Sequence, residues 1–233
     1  MSALEDLLLQ AHANAVEVVQ DLERVILAAK PVEESPDDSP GLNDPTMFWD
    51  YIRGQEGELF PTLRVSQQQG IERFLAYGAG KLPVSWMAYV LATVYHETGR
   101  LMQPVKEGFT VSDTWRKTNL RYYPYYGRGD VQLTWEENYR KVQEELKKFG
   151  LNLNLVDGPD QVLDPAISCM ICVEGMLAGW FCEGKTLRRY LPAQPNRTHY
   201  KNARRIINIQ DKADLIAGYA IEFEQGLRLG EWQ

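Results

Sequence analysis

Cysteine is scarce. The 233 residues hold three, Cys169, Cys172 and Cys182, all in one short stretch. That is too few and too clustered for a disulfide framework, so the chain suits a reducing compartment. A metal site on Cys169-x-x-Cys172 would need its fourth ligand from His199 or an acid, and buried core thiols are the favoured reading of these residues in an apolar helix. Histidine is equally rare, with only His12, His96 and His199. His96-Glu97 opens like a zinc-protease motif, but Arg100 stands where the second histidine is needed, so no metal and no cofactor is expected. No apolar run approaches the ~20 residues of a membrane span. The start, MSALEDLLLQ, carries Glu5 and Asp6 where a secretory signal would carry bases, so no signal peptide is expected. Gly127-Arg128-Gly129 lacks the downstream Gly-Lys-Ser/Thr of a phosphate loop. No concentrated basic stripe is present, which argues against a nucleic-acid partner.

What remains is ordinary globular composition, 44% hydrophobic and 24% charged, with an uneven charge. Residues 1–45 hold ten acids and two bases, a sum of −8; residues 46–233 hold 22 acids and 23 bases, a sum of +1. The nearly neutral body suits an uncharged or mixed-charge polymer. Residues 1–30 read as an amphipathic helix: Leu4, Leu8, Ala11, Ala15, Val18, Leu22, Val25 and Ala29 form a heptad seam, and Ser2 with Glu5 forms a capping box. The seam suits docking on the body, self-association or recruitment of a partner. Residues 31–45 carry four prolines, five acids and no base, the composition of an extended linker.

From Thr46 the pattern becomes aromatic and helical. Helices are predicted at Val65–Tyr77, at Met87–Thr98 behind a Ser85 cap, and at Glu136–Phe149, Ala166–Phe181 and Asp211–Leu227. Asp164-Pro165 is a helix start signal, and Gly150 a stop. Residues 99–135 lose helical period, with a short hairpin predicted near Tyr122–Leu133. The expected fold is mainly α: a helical domain over 46–233 with a small β or loop element in its middle.

Two carboxylates attract attention. Glu97 ends a strongly apolar helix, where an acid must either pair with a cation or stay protonated, and a protonated carboxyl is what a general acid requires. Glu107 follows in the loop leaving that helix, beside Gly108; alone it reads as a solvated acid, but two carboxylates across a cleft are the minimum apparatus for glycosidic hydrolysis. Then come Tyr122, Tyr123, Tyr125, Tyr126 and Trp135, interleaved with Arg128, Gln132 and Thr134. Such a run offers flat faces and polar tips for sugar rings or, for Tyr122 and Tyr123 in particular, aromatic core. The basic pairs Arg188-Arg189 and Arg204-Arg205 read as solvated helix faces.

His96-Glu97-Thr98-Gly99 followed by Tyr125-Tyr126-Gly127-Arg128-Gly129-x-x-Gln132-Leu133-Thr134-Trp135-x-x-Asn138-Tyr139 resembles glycoside hydrolase family 19. That family contains chitinases and phage endolysins of lysozyme-like fold. Ser168–Gly179 and Arg204-Arg205-Ile206-Ile207-Asn208 extend the resemblance over roughly residues 46–228, with Ile209 where the family has glycine. The resemblance implies a two-lobed, lysozyme-like α+β fold whose small β element lines the cleft. It implies Glu97 as catalytic acid and Glu107 as its partner, as in the endolysin branch, and Thr134 as holder of the attacking water. It further implies Tyr126, Gln132, Asn138 and Asn208 as substrate contacts. The substrate would be an N-acetylhexosamine polymer, peptidoglycan ahead of chitin, with the enzyme made in the cytoplasm and reaching the wall or periplasm by another route. A non-catalytic glycan-binding module and a virion- or secretion-associated component are the rival readings.

Overall fold

A computed structural model describes residues 39–54, 59–108 and 110–233. The expected helix at 1–30 and the start of the linker lie outside the described residues. From Ser39 the chain is packed rather than extended: Leu42 is buried and bridges Trp232, and the buried Ser39 Oγ accepts the Trp49 indole N–H at 3.0 Å. Leu42 has an apolar partner waiting in the C-terminal tail, which composition alone does not disclose.

Nine α-helices follow among the described residues: α1 (Pro45–Gly54), α2 (Val65–Gly78), α3 (Val84–Glu97), α4 (Asp113–Asn119), α5 (Glu136–Lys147), α6 (Pro165–Ala178), α7 (Leu187–Tyr190), α8 (Arg197–Ala203) and α9 (Ala213–Leu229). Short 3₁₀ turns cover Pro159–Leu163 and Arg204–Ile206. The fold is mainly α, as the sequence predicts. The larger core surrounds α3, whose residues Met87 to Tyr95 are all buried; α9 runs along it and α1, α2 and α6 to α8 close the sides. A second, smaller core joins Leu133, α5, Leu155 and Val162 to one face of α6. Helix α6 serves both: Cys169, Cys172, Val173 and Met176 face the large core, while Ile171 faces the small one. Burial on two sides explains its apolar sequence without an amphipathic stripe.

The helix boundaries differ from expectation for local reasons. Ser85 lies inside α3, which begins at Val84 behind Pro83; the Ser85 side chain is buried and donates to the Pro192 carbonyl instead of capping. Helix α6 stops at Ala178 because Gly179 turns left-handed, at φ +74°. Its start is as read: Asp164 accepts the N–H groups of Ala166 and Ile167. The strand pair is β1 (Val105–Lys106) with β2 (Arg128–Gly129), antiparallel, so β2 reaches back to the segment after α3 instead of forming only a local hairpin. Within the predicted hairpin a single bridge, Arg128 to Leu133, is made. Asp160 locks the two strands together, receiving Lys106 Nζ at 2.7 Å and the buried Arg128 Nε at 2.6 Å.

Candidate active site

Between the cores lies a cleft of about 350 Å³, lined by Glu97, Glu107, Tyr122, Gly127, Val131, Gln132, Thr134, Trp135, Ile207 and Asn208. One wall is the end of α3 with the segment after the Arg204–Ile206 turn. The other is the strand pair and the aromatic turn leading to α5.

Glu97 closes α3 with its side chain 15% exposed, and its Oε1 accepts Arg204 Nη1 at 2.5 Å. Arg204 is 2% exposed and also donates from Nε to the Asp211 carbonyl at 2.9 Å. The expectation of a solvated Arg204-Arg205 face is therefore corrected for Arg204. One oxygen of Glu97 has a cationic partner: an apolar helix directs its terminal carboxyl group into the interior, and a neighbouring turn supplies Arg204. Next to it His96 is half-buried, and burial lowers its pKa against the opposing pull of Glu97.

Glu107 leaves β1 directly. Strand pairing puts it beside Gly127, so its own N–H donates to the Gly127 carbonyl at 2.7 Å and its Oε2 receives the Gly127 N–H at 2.9 Å. Its Oε1 receives the Tyr122 hydroxyl at 2.6 Å. Burial first, then this carboxylate, pushes the Tyr122 phenol up to about 12, so the hydroxyl remains a donor at any working pH. The Glu107 carbonyl is held in turn by Arg116 Nε at 2.8 Å. Glu107 is thus a fixed acceptor with two defined donors, in contrast to the solvated loop acid that its neighbours in sequence suggest.

Thr134 Oγ1 donates to the Gln132 carbonyl at 2.8 Å, which leaves the oxygen's lone pairs for a further donor. Gln132 sends its amide to the carbonyls of Val105 and Gly129, at 3.0 and 3.2 Å, so it braces β1 while lining the cleft. Both ends of this turn are strained, Gln132 at φ +53° and Trp135 at φ +76°. Asn208 lines the opposite wall, with its Oδ1 accepting the N–H of Ile209 at 2.7 Å.

Two expected contacts lie elsewhere. Tyr126 is buried, 1% exposed, with its hydroxyl on Asp113 at 3.2 Å and its ring 3.6 Å from the Arg128 guanidinium. It is part of the scaffold under the cleft. Asn138 is not among the lining residues; its amide donates to the Thr134 carbonyl at 2.8 Å and steadies the turn that presents Thr134. Tyr122 lines the cleft and packs against Trp135 with ring centroids 4.9 Å apart, and Trp135 is 41% exposed. Tyr122, favoured from the sequence as aromatic core, and Arg204, read as a solvated face, are the functional candidates that sequence reading missed; Trp135 belongs to the aromatic run already read as a surface for sugar rings. A buried acid demands a cation, and that demand was the available signal for Arg204. Cys169 and Cys172 are buried and free, with burial pushing the Cys169 thiol up to about 12, so neither is poised as a nucleophile or ligand. No group of metal-ligating side chains occurs among the described residues.

No protein-family model and no curated protein matches the sequence. Among solved structures, the chain is similar to a chitinase C mutant, with TM-score 0.42 and 19% identity over 85% of this chain and 96% of that one. It is also similar to chitinase C from Streptomyces griseus, with TM-score 0.40 and 18% identity over 80% of this chain and 76% of that one.

Proposed function

We propose that this chain is a glycoside hydrolase that cleaves β-1,4 bonds of an N-acetylhexosamine polymer by single displacement. The observation that carries this reading is the meeting of Glu97 and Glu107, from separate walls, in one cleft that Thr134, Tyr122, Trp135 and Asn208 also line.

Glu97 is assigned as proton donor. Its Oε1 is taken by Arg204, so Oε2 is the oxygen to carry the proton toward the leaving glycosidic oxygen. Glu107 is assigned as base: Tyr122 and Gly127 orient its two oxygens, each of which retains a lone pair to accept a proton from water. The Thr134 hydroxyl, aligned by the Gln132 carbonyl, accepts from that water and fixes its approach. Such an inverting route calls for a carboxyl separation of roughly 6.5–9.5 Å and an inverted anomer as product. Trp135 and Tyr122 present flat faces to the CH side of a sugar ring. Gln132 and Asn208 supply polar contacts from the two walls.

The short segment between Glu97 and Glu107, resembling the endolysin branch, favours peptidoglycan as polymer, cut between N-acetylmuramic acid and N-acetylglucosamine. The test is mass spectrometry and anomeric NMR of products from purified sacculi and, in parallel, from chitin oligomers. Muropeptide products with inverted anomers support the reading in full. Hydrolysis confined to chitin moves the substrate to the alternative polymer. Binding of either polymer without turnover makes the chain a glycan-binding module and overturns the enzymatic assignment.

A further inference from the structure

Arg73 lies on α2, outside the cleft, yet it touches both the segment that joins the end of α3 to β1 and the turn that follows β2. Its Nη2 donates to the two carboxylate oxygens of Asp130, at 3.0 and 3.1 Å, and to the Met102 carbonyl at 3.4 Å. Its Nη1 donates to Gln103 Oε1 at 3.3 Å. Met102 and Gln103 belong to the turn that takes the chain from Glu97 to Glu107. Asp130 belongs to the turn that leads into Gln132 and Thr134. It is fully buried, and its N–H donates to Ser168 Oγ on α6 at 2.8 Å.

The same face of α2 holds the first turn along its length. Gln67 donates to the Arg100 carbonyl at 2.9 Å, and Gln103 donates to the Ser66 carbonyl at the helix start. Gly70 lies so close to Met102 that a Cβ there would meet the Met102 carbonyl oxygen at 1.9 Å. Positions 66 and 67, 70 and 73 recur once per helical turn, so one stripe of α2 reads the backbone of residues 100–103. That backbone is in a costly shape: Gly99, Arg100 and Met102 have φ of +59°, +71° and +56°. Left-handed non-glycine residues persist only where the surroundings over-determine them.

Burying an ion pair is a poor route to stability, since an apolar pair of similar volume does as well or better. The position of Arg73 and Asp130 suits a different task. We infer that the pair consists of positioning residues for the proposed hydrolytic site, a cross-brace that sets the Glu97–Glu107 turn against the Gln132–Thr134 turn and so fixes the water between base and threonine. This inference rests on the glycosidase reading above.

Three proteins test it beside the wild type: Glu97→Gln, Arg73→Lys, and the double variant Arg73→Met with Asp130→Leu. Each is assayed for kcat, KM and melting temperature on soluble glycan fragments. Arg73→Lys keeps the charge opposite Asp130 but does not span Met102, Gln103 and Asp130 at once. The double variant removes both charges, so it should melt near the wild type. Both are expected to lose about 10- to 100-fold in kcat, the scale of a 1 Å misplacement, with KM within about 3-fold of wild type. A role confined to stability predicts instead that kcat returns wherever the melting temperature does. Wild-type kcat in the folded double variant overturns the inference; should that variant not fold, wild-type kcat in Arg73→Lys does so. A wild-type protein without turnover, indistinguishable from Glu97→Gln, overturns the glycosidase reading and the inference with it.

Discussion

Replacing Glu97 by glutamine separates the chemistry of the site from its contribution to folding, and the structure sets a size for each. The amide carries no transferable acidic proton, so turnover should fall at least ~10²-fold, the scale of a lost general acid. It also removes the counter-charge of Arg204, which is 2% exposed. Deleting one partner of a fully buried pair costs about 3–5 kcal/mol. Here the Glu97 side chain is 15% exposed and a glutamine oxygen still accepts the Arg204 N–H, so a loss of about 1–3 kcal/mol is the better figure. For a chain of this size that lowers the melting temperature by about 2–12 °C. Adding Arg204→Met to Glu97→Gln removes the stranded cation, and the melting temperature should recover while activity does not. Calorimetry and product release on one preparation measure both. Near-wild-type turnover refutes the acid assignment. An unchanged melting temperature in the single variant refutes the claim that the pair is held at a cost when broken.

Tyr122→Phe deletes one of the two donors to Glu107 and should lower kcat about 10-fold while changing stability by no more than about 1 kcal/mol, read by steady-state kinetics and urea melts. Gly70→Ala drives a methyl group into the Met102 carbonyl and should cost at least about 1–3 kcal/mol in a urea titration, with loss of activity because the strained turn must move. Asp130 has its pKa raised to about 6 by burial, against the pull of Arg73. A raised folded value means that its stabilising contribution is complete below the ordinary carboxylate range near pH 4 and is lost as pH rises through about 6. The melting temperature of the wild type, minus that of Asp130→Asn, should therefore increase as pH falls from about 7 to 4; a flat difference refutes this. A chain begun at Ser39 should keep melting temperature and activity. One begun at Thr46 should melt lower, having lost the burial of Leu42 and the Ser39–Trp49 hydrogen bond, together about 2–3 kcal/mol.

Much of the helical frame is local physics and is readable without coordinates. Apolar residues on every side of 87–95 announce a buried helix, Asp164 before Pro165 announces a start, and the loss of period after Gly99 announces the loop region that forms a cleft wall. The closeness of Glu97 and Glu107 in the chain, one ending a helix and one following it, already makes them candidates for a single site. Their partners are another matter. Arg204 and Arg205 are adjacent and alike, and only the packing of the Arg204–Ile206 turn against the end of α3 decides that Arg204 is buried on Glu97. Among Tyr122, Tyr123, Tyr125 and Tyr126 an irregular turn has no period from which to tell inside from outside. Strand pairing decides it, placing Gly127 and the Tyr122 hydroxyl on the Glu107 carboxylate while Tyr126 is sealed beneath Arg128. Asp130 and Arg73 are far apart in sequence, and nothing local to either demands the other. Periodicity and capping report what each segment does with its own neighbours; which charge meets which across the cleft is settled only when α2, α3 and the strand pair are packed together.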